Sequence, residues 1–284
     1  ATTEIYTLSL HDALPIRYDR DDDMLITGKR HNFRVEYEVG FDGAGSILGL
    51  DFVFASQCGF SADLSGPVND RAVMHADNAY FLPHVRIVSH RCRTHTQSNT
   101  AFRGFGGPPG MVAIETVIEA IGRHLGLDPL AVRLANFYGP GRDGTPYAMQ
   151  VEDCVADRLC DEVAKSSDYG ARRAAIRAWN AASPVIKRGI ALTPVKFGIS
   201  FTSTFFNQAA ALVHVYAADG TVLLNHGGTE MGQGLFTKVA QVVAQEFGID
   251  VDRVRVSASD TARVPNASAT AASDRKSTRL NSSH

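Results

Sequence analysis

Three places along this chain gather side chains that could do chemistry. Residues 100–110 read TAFRGFGGPPG, with Arg103 between Phe102 and Phe105 and glycines at 104, 106, 107 and 110. Glycine lets the backbone take φ > 0 and approach another group closely, so such a loop is shaped around something. The two phenylalanines either anchor it in a core or present their rings to a ligand. Residues 226–234, HGGTEMGQG, form a second glycine-rich loop that carries Gly232 and Gln233. The third place is Arg71, in NDRAVMH. A guanidinium stays charged at any accessible pH and donates several hydrogen bonds, which suits a developing anion. An ion pair with Asp70 or Asp77 on a solvated face is the competing reading of Arg71.

Neither loop is a nucleotide fingerprint. GFGGPPG does not match G-x-G-x-x-G and enters its helix through two prolines, and HGGTEMGQG lacks the G-K-[ST] ending of a phosphate-cradling loop. Both place glycines at or near a helix start, where free N–H groups and the helix dipole favour an anion. They are therefore either two helix-capping loops or two loops clasping one large, phosphate-bearing cofactor. Arg103 in one and Gln233 in the other speak for the second.

The elements that must position these loops are legible from periodicity. Phe33, Val35, Tyr37 and Val39 alternate with Arg34, Glu36 and Glu38, as a half-buried strand does. Asp42-Gly43-Ala44-Gly45 turns the chain, and SILGLDFVFAS returns as a more apolar strand. RAVMHADNAY predicts a short helix or loop, and PHVRIVSHRCRT a further strand. In GMVAIETVIEAIGRHLG, Ile114, Val117, Ile118, Ile121 and Leu125 form a stripe at helical spacing, and Gly126 stops the helix. Asp128-Pro129 caps and starts another, LAVRLANFY. VEDCVADRLCDEVAKSS and ARRAAIRAWNAAS are two more amphipathic helices. Residues 181–189 connect the halves. Beyond them, ALVHVYA and TVLLNH flank the hairpin signal Ala218-Asp219-Gly220, LFTKVAQVVAQEFG is a helix, and VDRVRVSAS is a last strand. Each half thus has a hairpin, a glycine loop and a helix, which hints at related architecture.

Composition narrows the function classes. With 284 residues, 28 Lys+Arg against 30 Asp+Glu and 44% hydrophobic residues, the chain can build one large or two smaller domains. A formal net charge of −2 argues against nucleic-acid binding. No apolar run is long enough to span a bilayer, which argues against a membrane role. Cys58, Cys92, Cys154 and Cys160 form no C-x-x-C pair, so neither a zinc site nor an iron–sulfur nest is indicated. They read as reduced thiols of a cytoplasmic protein. The ends, ATTEIYTLSLHDALPI (1–16) and DRKSTRLNSSH (the close, with 274–284 set aside), continue no neighbouring periodicity. They resemble translated sequencing-adapter DNA. The first has no basic n-region, which counts against a signal peptide. The expectation is an internal fragment spanning 17–273.

RDDDMLITGKRH, RAVMHADNAY, SNTAFRGFGGPPGM, KFGISFT, NHGGTEMGQG and VPNASATAAS, in this order, resemble the molybdopterin-binding subunit of bacterial xanthine dehydrogenases, from about Arg17 to Ser273. The resemblance implies an α+β fold of mixed sheets with packed helices, in two partial molybdopterin-binding subdomains at 17–183 and 184–273. It implies that Arg103 lies beside the molybdenum, with its backbone near the metal's ligands, and that Phe102 belongs to the cofactor site. Phe105 and Phe201 would sandwich a flat purine, Thr202 would border the same pocket, and Arg71 would stabilise charge on the heterocycle. Ordinary core packing in a strand is the other reading of Phe201. Gly232 and Gln233, with Ala271 and Ala272, would hold the cofactor, Ala272 close to the metal's ligands.

The family activity so implied is hydroxylation of hypoxanthine and xanthine to urate with water as oxygen source. Electrons would pass through iron–sulfur clusters and FAD to NAD on partner subunits or domains of a hetero-oligomer. The family's general-base glutamate is expected beyond Ser273. An aldehyde oxidase and an inactive truncated chain are the alternatives. Arginine at position 71 favours purine, since aldehyde-oxidising relatives usually carry an uncharged residue there.

Overall fold

The computed structural model describes residues 19–198, 208–230 and 232–257. It opens with a short exposed helix, α1 (Arg20–Ile26), capped by the Asp19 carboxylate, which accepts the Asp22 amide at 2.9 Å. The alternating stretch forms β1 (Phe33–Phe41). At the turn, Asp42 accepts the amides of Ala44 and Ser46 at 3.0 and 2.8 Å, and Gly45 takes φ 86°. The chain returns as β2 (Ile47–Gly59), antiparallel to β1 with Phe33 opposite Ser56. It then crosses through α2 (Ser65–Val73) to β3 (Val85–Arg93), which pairs parallel to β2 with Leu50 opposite Val85.

Four helices follow: α3 (Gly107–Leu125), α4 (Pro129–Asn136), α5 (Ala156–Ser166) and α6 (Tyr169–Ala182). The expected helix over VEDCVADRLCDEVAKSS starts later than its polar pattern suggested, at Ala156, after the chain has bonded back to the preceding turn through Val151 N to Asp143 O at 2.7 Å. The second half has β4 (Ala211–Tyr216), β5 (Thr221–His226), α7 (Leu235–Phe247) and β6 (Val254–Val256). Its sheet order, β4-β5-β6, again joins an antiparallel hairpin to a parallel third strand across a helix. The relation expected between the halves is therefore a shared strand–strand–helix–strand topology. All six residues of β4 are exposed, whereas β5 buries Val222 and Leu224 against Leu235, Val239 and Val243 of α7.

The main core lies between β2 and α3. Phe52 and Phe54 point from one face of β2 toward Ile114, Val117, Ile118 and Ile121, all essentially inaccessible. Each such side chain contributes roughly 1.5–3 kcal/mol relative to exposure. Gly126 closes α3 in the left-handed conformation at φ 69°, and Leu127 N donates to the Gly122 carbonyl at 2.9 Å. Asp128 then accepts the Leu130 amide at 3.0 Å, with Pro129 in the first turn of α4. Arg133 of α4 is buried and bonds Glu115 at 2.9 Å and Glu119 at 2.8 Å on α3. Burial opposes its charge, but the two carboxylates outweigh burial and raise its pKa.

The glycines of the first loop are shaped around another helix. A Cβ on Gly106 would stand 1.8 Å from the Val68 carbonyl oxygen of α2, and one on Gly110 would stand 2.3 Å from that of Ala72. One on Gly107 would strike the Phe197 ring at 2.4 Å. Gly106→Ala should therefore destabilise the chain by about 1–3 kcal/mol or more, because the obstruction is main chain and cannot rotate away. Gly139→Ala, at a position with nothing within 4 Å, is the control. Urea denaturation of both variants decides; equal midpoints would show that α2 and α3 are not in backbone contact.

Candidate functional site

Arg71 lies on the buried face of α2, with 3% of its surface exposed. Neither carboxylate considered for it is its partner. Asp70 pairs with Arg91 at 2.8 Å, and Asp77 pairs with Lys196 and accepts the Tyr138 hydroxyl at 2.6 Å. Arg71 instead donates from Nη1 to the Gly198 carbonyl at 2.7 Å, and its guanidinium stands 5.4 Å from the Phe197 ring centroid. Burial lowers its pKa from the ordinary arginine value.

One turn onward, His75 bonds the Arg71 carbonyl through Nδ1 and the Gly198 amide through Nε2, both at 2.9 Å. Burial first, then the charges of Arg71 and Lys196, lower its pKa to about 4, against the opposing pull of the Arg71 carbonyl. Asn78 completes the grip. Its Nδ2 donates to the Pro194 carbonyl and its Oδ1 accepts the Lys196 amide, each at 3.0 Å. Burial raises the Asp77 pKa more than Lys196 and Tyr138 lower it. Four side chains between 71 and 78 thus hold residues 194–198, the approach to Phe201.

The first loop is organised by Arg30, which sequence reasoning missed. Its Nη1 donates to the Phe105 carbonyl at 3.0 Å, its Nη2 to that of Arg103, and its guanidinium lies 4.6 Å from the Phe102 ring centroid. Nothing local marks it, since these partners lie more than 70 positions away. Phe105 takes φ 57°, is 2% exposed and packs against Val68 and Leu64. Phe102 is 55% exposed, and Arg103 is exposed beside it. Of the two rings, Phe105 anchors the loop against the helix that carries Arg71, and Phe102 faces outward.

The second loop corrects the expectation of free amides at both helix starts. Ahead of α7, the Glu230 carboxylate accepts the amides of Gly232, Gly234 and Phe236 at 2.8, 3.1 and 3.2 Å. The chain supplies its own anion there. At α3, Pro108 and Pro109 have no N–H to offer, and the Gly107 and Gly110 amides bond the carbonyls of Gly104 and Gly106 at 3.0 and 3.3 Å.

Gln233 donates from Nε2 to the Thr229 carbonyl at 2.8 Å. Gly232 and Gly234 take φ 91° and 72°, and among the described residues a Cβ on either would meet nothing within 4 Å. Among the described residues, no group of three His, Cys, Asp or Glu converges on a metal position. What the described residues offer a cofactor here is hydrogen-bonding backbone and amide groups. The structure gathers Arg71, Phe102, Arg103 and Phe105 around α2 and its neighbouring loop, while Gly232 and Gln233 belong to the loop ahead of α7. Phe201, Thr202, Ala271 and Ala272 lie outside the described residues, as do the end segments 1–16 and 274–284.

Comparison with known proteins bears on this arrangement directly. Residues 4–137 and 162–282 each match a molybdopterin cofactor-binding domain. The xanthine dehydrogenase/oxidase of Gallus gallus is 47% identical over 96% of this chain, and so is xanthine dehydrogenase 1 of Arabidopsis thaliana. The chain belongs to the xanthine dehydrogenase family. It spans about 20% of the length of these curated relatives. Solved structures give the same fold at low identity. An aldehyde oxidoreductase from Desulfovibrio desulfuricans aligns with TM-score 0.73 and 20% identity over 91% of this chain and 28% of its own. The CO dehydrogenase of Oligotropha carboxidovorans aligns with TM-score 0.70 and 19% identity, over 90% and 34%. The α+β architecture expected of two molybdopterin-binding units is therefore the one found, and molybdopterin is the cofactor of these domains.

The Glu230 cap carries its own test. Its three amide bonds favour the carboxylate, so its pKa is lowered in the fold. The stabilisation is complete above the ordinary glutamate range and is lost as pH falls through the depressed folded value. Glu230→Ala should speed hydrogen exchange at Gly232, Gly234 and Phe236, and Glu230→Gln should do so less, since its amide keeps one acceptor. Unchanged exchange in the alanine variant would remove the cap from the account.

Proposed function

We propose that this chain is part of the molybdenum-bearing catalytic portion of a xanthine dehydrogenase, an oxidoreductase that hydroxylates hypoxanthine and xanthine to urate. The observation that carries the reading is Arg71, a cation buried at 3% exposure on the helix against which the FRGFG loop packs. A buried guanidinium is costly unless its setting uses it. Here one of its arms is fixed on the Gly198 carbonyl at 2.7 Å, which aims the group.

In this reading Phe201 and Phe105 hold the purine plane by stacking and edge contact, with Thr202 beside them. Arg71 binds the heterocycle and stabilises the negative charge that builds there as the ring carbon is attacked. Phe102, Arg103, Gly232, Gln233, Ala271 and Ala272 hold the cofactor. The glycines would present main chain to it, Gln233 its amide, and Arg103 and Ala272 backbone near the metal's ligands. The molybdenum cofactor, when bound, supplies the oxidising centre and the water-derived oxygen. Iron–sulfur clusters, FAD and NAD on partner subunits or domains of a hetero-oligomer would take up the electrons. We place the protein in the cytoplasm, in purine catabolism. Xanthine dehydrogenase relatives at 47% identity support this. No helix among the described residues is long and apolar enough to cross a membrane.

An aldehyde-oxidising enzyme is the second reading, since the aldehyde oxidoreductase shares the fold at 20% identity. Arg71→Met in the full-length enzyme separates the two. The substitution should lower kcat for xanthine on the order of 10²–10³-fold, because a charge-stabilising donor is lost. Turnover of a simple aromatic aldehyde should fall far less, since no charge develops on a distant ring atom. Equal loss on both substrates would make Arg71 a purely structural anchor for Gly198.

A further inference from the structure

The Gly198 peptide is held at both ends. Its carbonyl accepts from Arg71 Nη1 at 2.7 Å, and its amide donates to His75 Nε2 at 2.9 Å. The other ring nitrogen of buried His75, Nδ1, lies 2.9 Å from the Arg71 carbonyl. A main-chain amide only donates and a carbonyl only accepts. The proton must therefore sit on Nδ1 with Nε2 bare, so the two partners select one neutral tautomer. An imidazolium would set a second N–H against the Gly198 N–H. The charged groups acting on the ring, Arg71 and Lys196, both disfavour that second proton. The Phe197 ring, 4.7 Å from the imidazole centroid, fills the space between the histidine and the arginine. A Cβ on Gly198 would come within 3.0 Å of Arg71 Nη1, so the clip also accounts for glycine there.

We infer that His75 is a positioning residue for the substrate site: it fixes Gly198, whose carbonyl receives the Arg71 guanidinium. The inference rests on the reading above, in which Arg71 binds a purine. One imidazole then sets where the carbonyl that aims Arg71 stands. A displacement of about 1 Å in such a positioned group is enough to cost on the order of 10²-fold in rate. A histidine that merely satisfied the core would stabilise the fold without affecting how purine is held.

Two variants of the full-length enzyme separate these. His75→Leu keeps an apolar side chain of similar bulk and removes the acceptor, and His75→Gln returns an acceptor, Oε1, at the reach of Nε2. The leucine variant should lose roughly tenfold to 10²-fold in kcat/KM for xanthine at unchanged molybdenum content, and the glutamine variant should recover most of it. Unimpaired xanthine turnover in the leucine variant overturns the inference alone, as does a glutamine variant no better than leucine. Wild-type enzyme that turns over no xanthine overturns the purine reading itself. Should the leucine variant fail to fold, nitrogen-15 NMR of the histidine-labelled chain still decides. His75 should carry its proton on Nδ1 at neutral pH and stay uncharged until the pH approaches about 4. A proton on Nε2, or titration near the ordinary value of 6.5, overturns the clip.

Discussion

Everything proposed for the first half of this chain depends on two stretches of backbone touching without side chains between them. Gly106 and Gly110 let the start of α3 rest on the carbonyls of Val68 and Ala72. That closeness has two effects. It seals the face of α2 from which Arg71 projects, so the guanidinium is buried and its surroundings must provide partners for it. It also fixes Phe105, two residues from Arg103, against Val68 of the same helix. A side chain at either glycine would part the helices and open the arginine to water. The loop's unusual composition is therefore first a packing requirement.

Much of the scaffold was legible because its signals are local. The stripe Ile114, Val117, Ile118, Ile121 and the stop at Gly126 define α3 from within a few turns of chain, and Asp128-Pro129 defines the start of α4 in two residues. The hairpin at 218–220 is equally self-contained, with Tyr216 opposite Thr221. The site was less legible because its determinants are remote partners. Arg30 reaches carbonyls 73 and 75 positions away, and Arg71 reaches one 127 positions away. No periodicity encodes such a pairing. The competing reading of Arg71, an ion pair with a neighbour in sequence, falls away for the same reason. Its neighbours in sequence, Asp70 and Asp77, had remote partners of their own in Arg91 and Lys196.

The two glycine-rich loops show how one composition serves different ends. In the first, glycine permits contact between helices. In the second, Gly232 and Gly234 permit left-handed turns, and the helix start behind them is neutralised by Glu230. A helix start already holding a carboxylate, and another blocked by Pro108 and Pro109, give little purchase to inorganic phosphate or sulfate. Recognition in these loops therefore leans on shape and on neutral hydrogen-bonding groups more than on net attraction for anions.

The strand β4 has a different consequence. Leu212, Val213, Val215 and Tyr216 stand in water along a strand paired on one side with β5. A strand whose other edge has no partner among the described residues, with apolar residues on both faces, is a template on which other extended segments can add. Handled by itself, this segment of the family should be prone to self-association through β4, growing with concentration and relieved by charged substitutions such as Val213→Lys. Its solubility in isolation would then be limited by a single strand, even where the helices and cores around it are well formed.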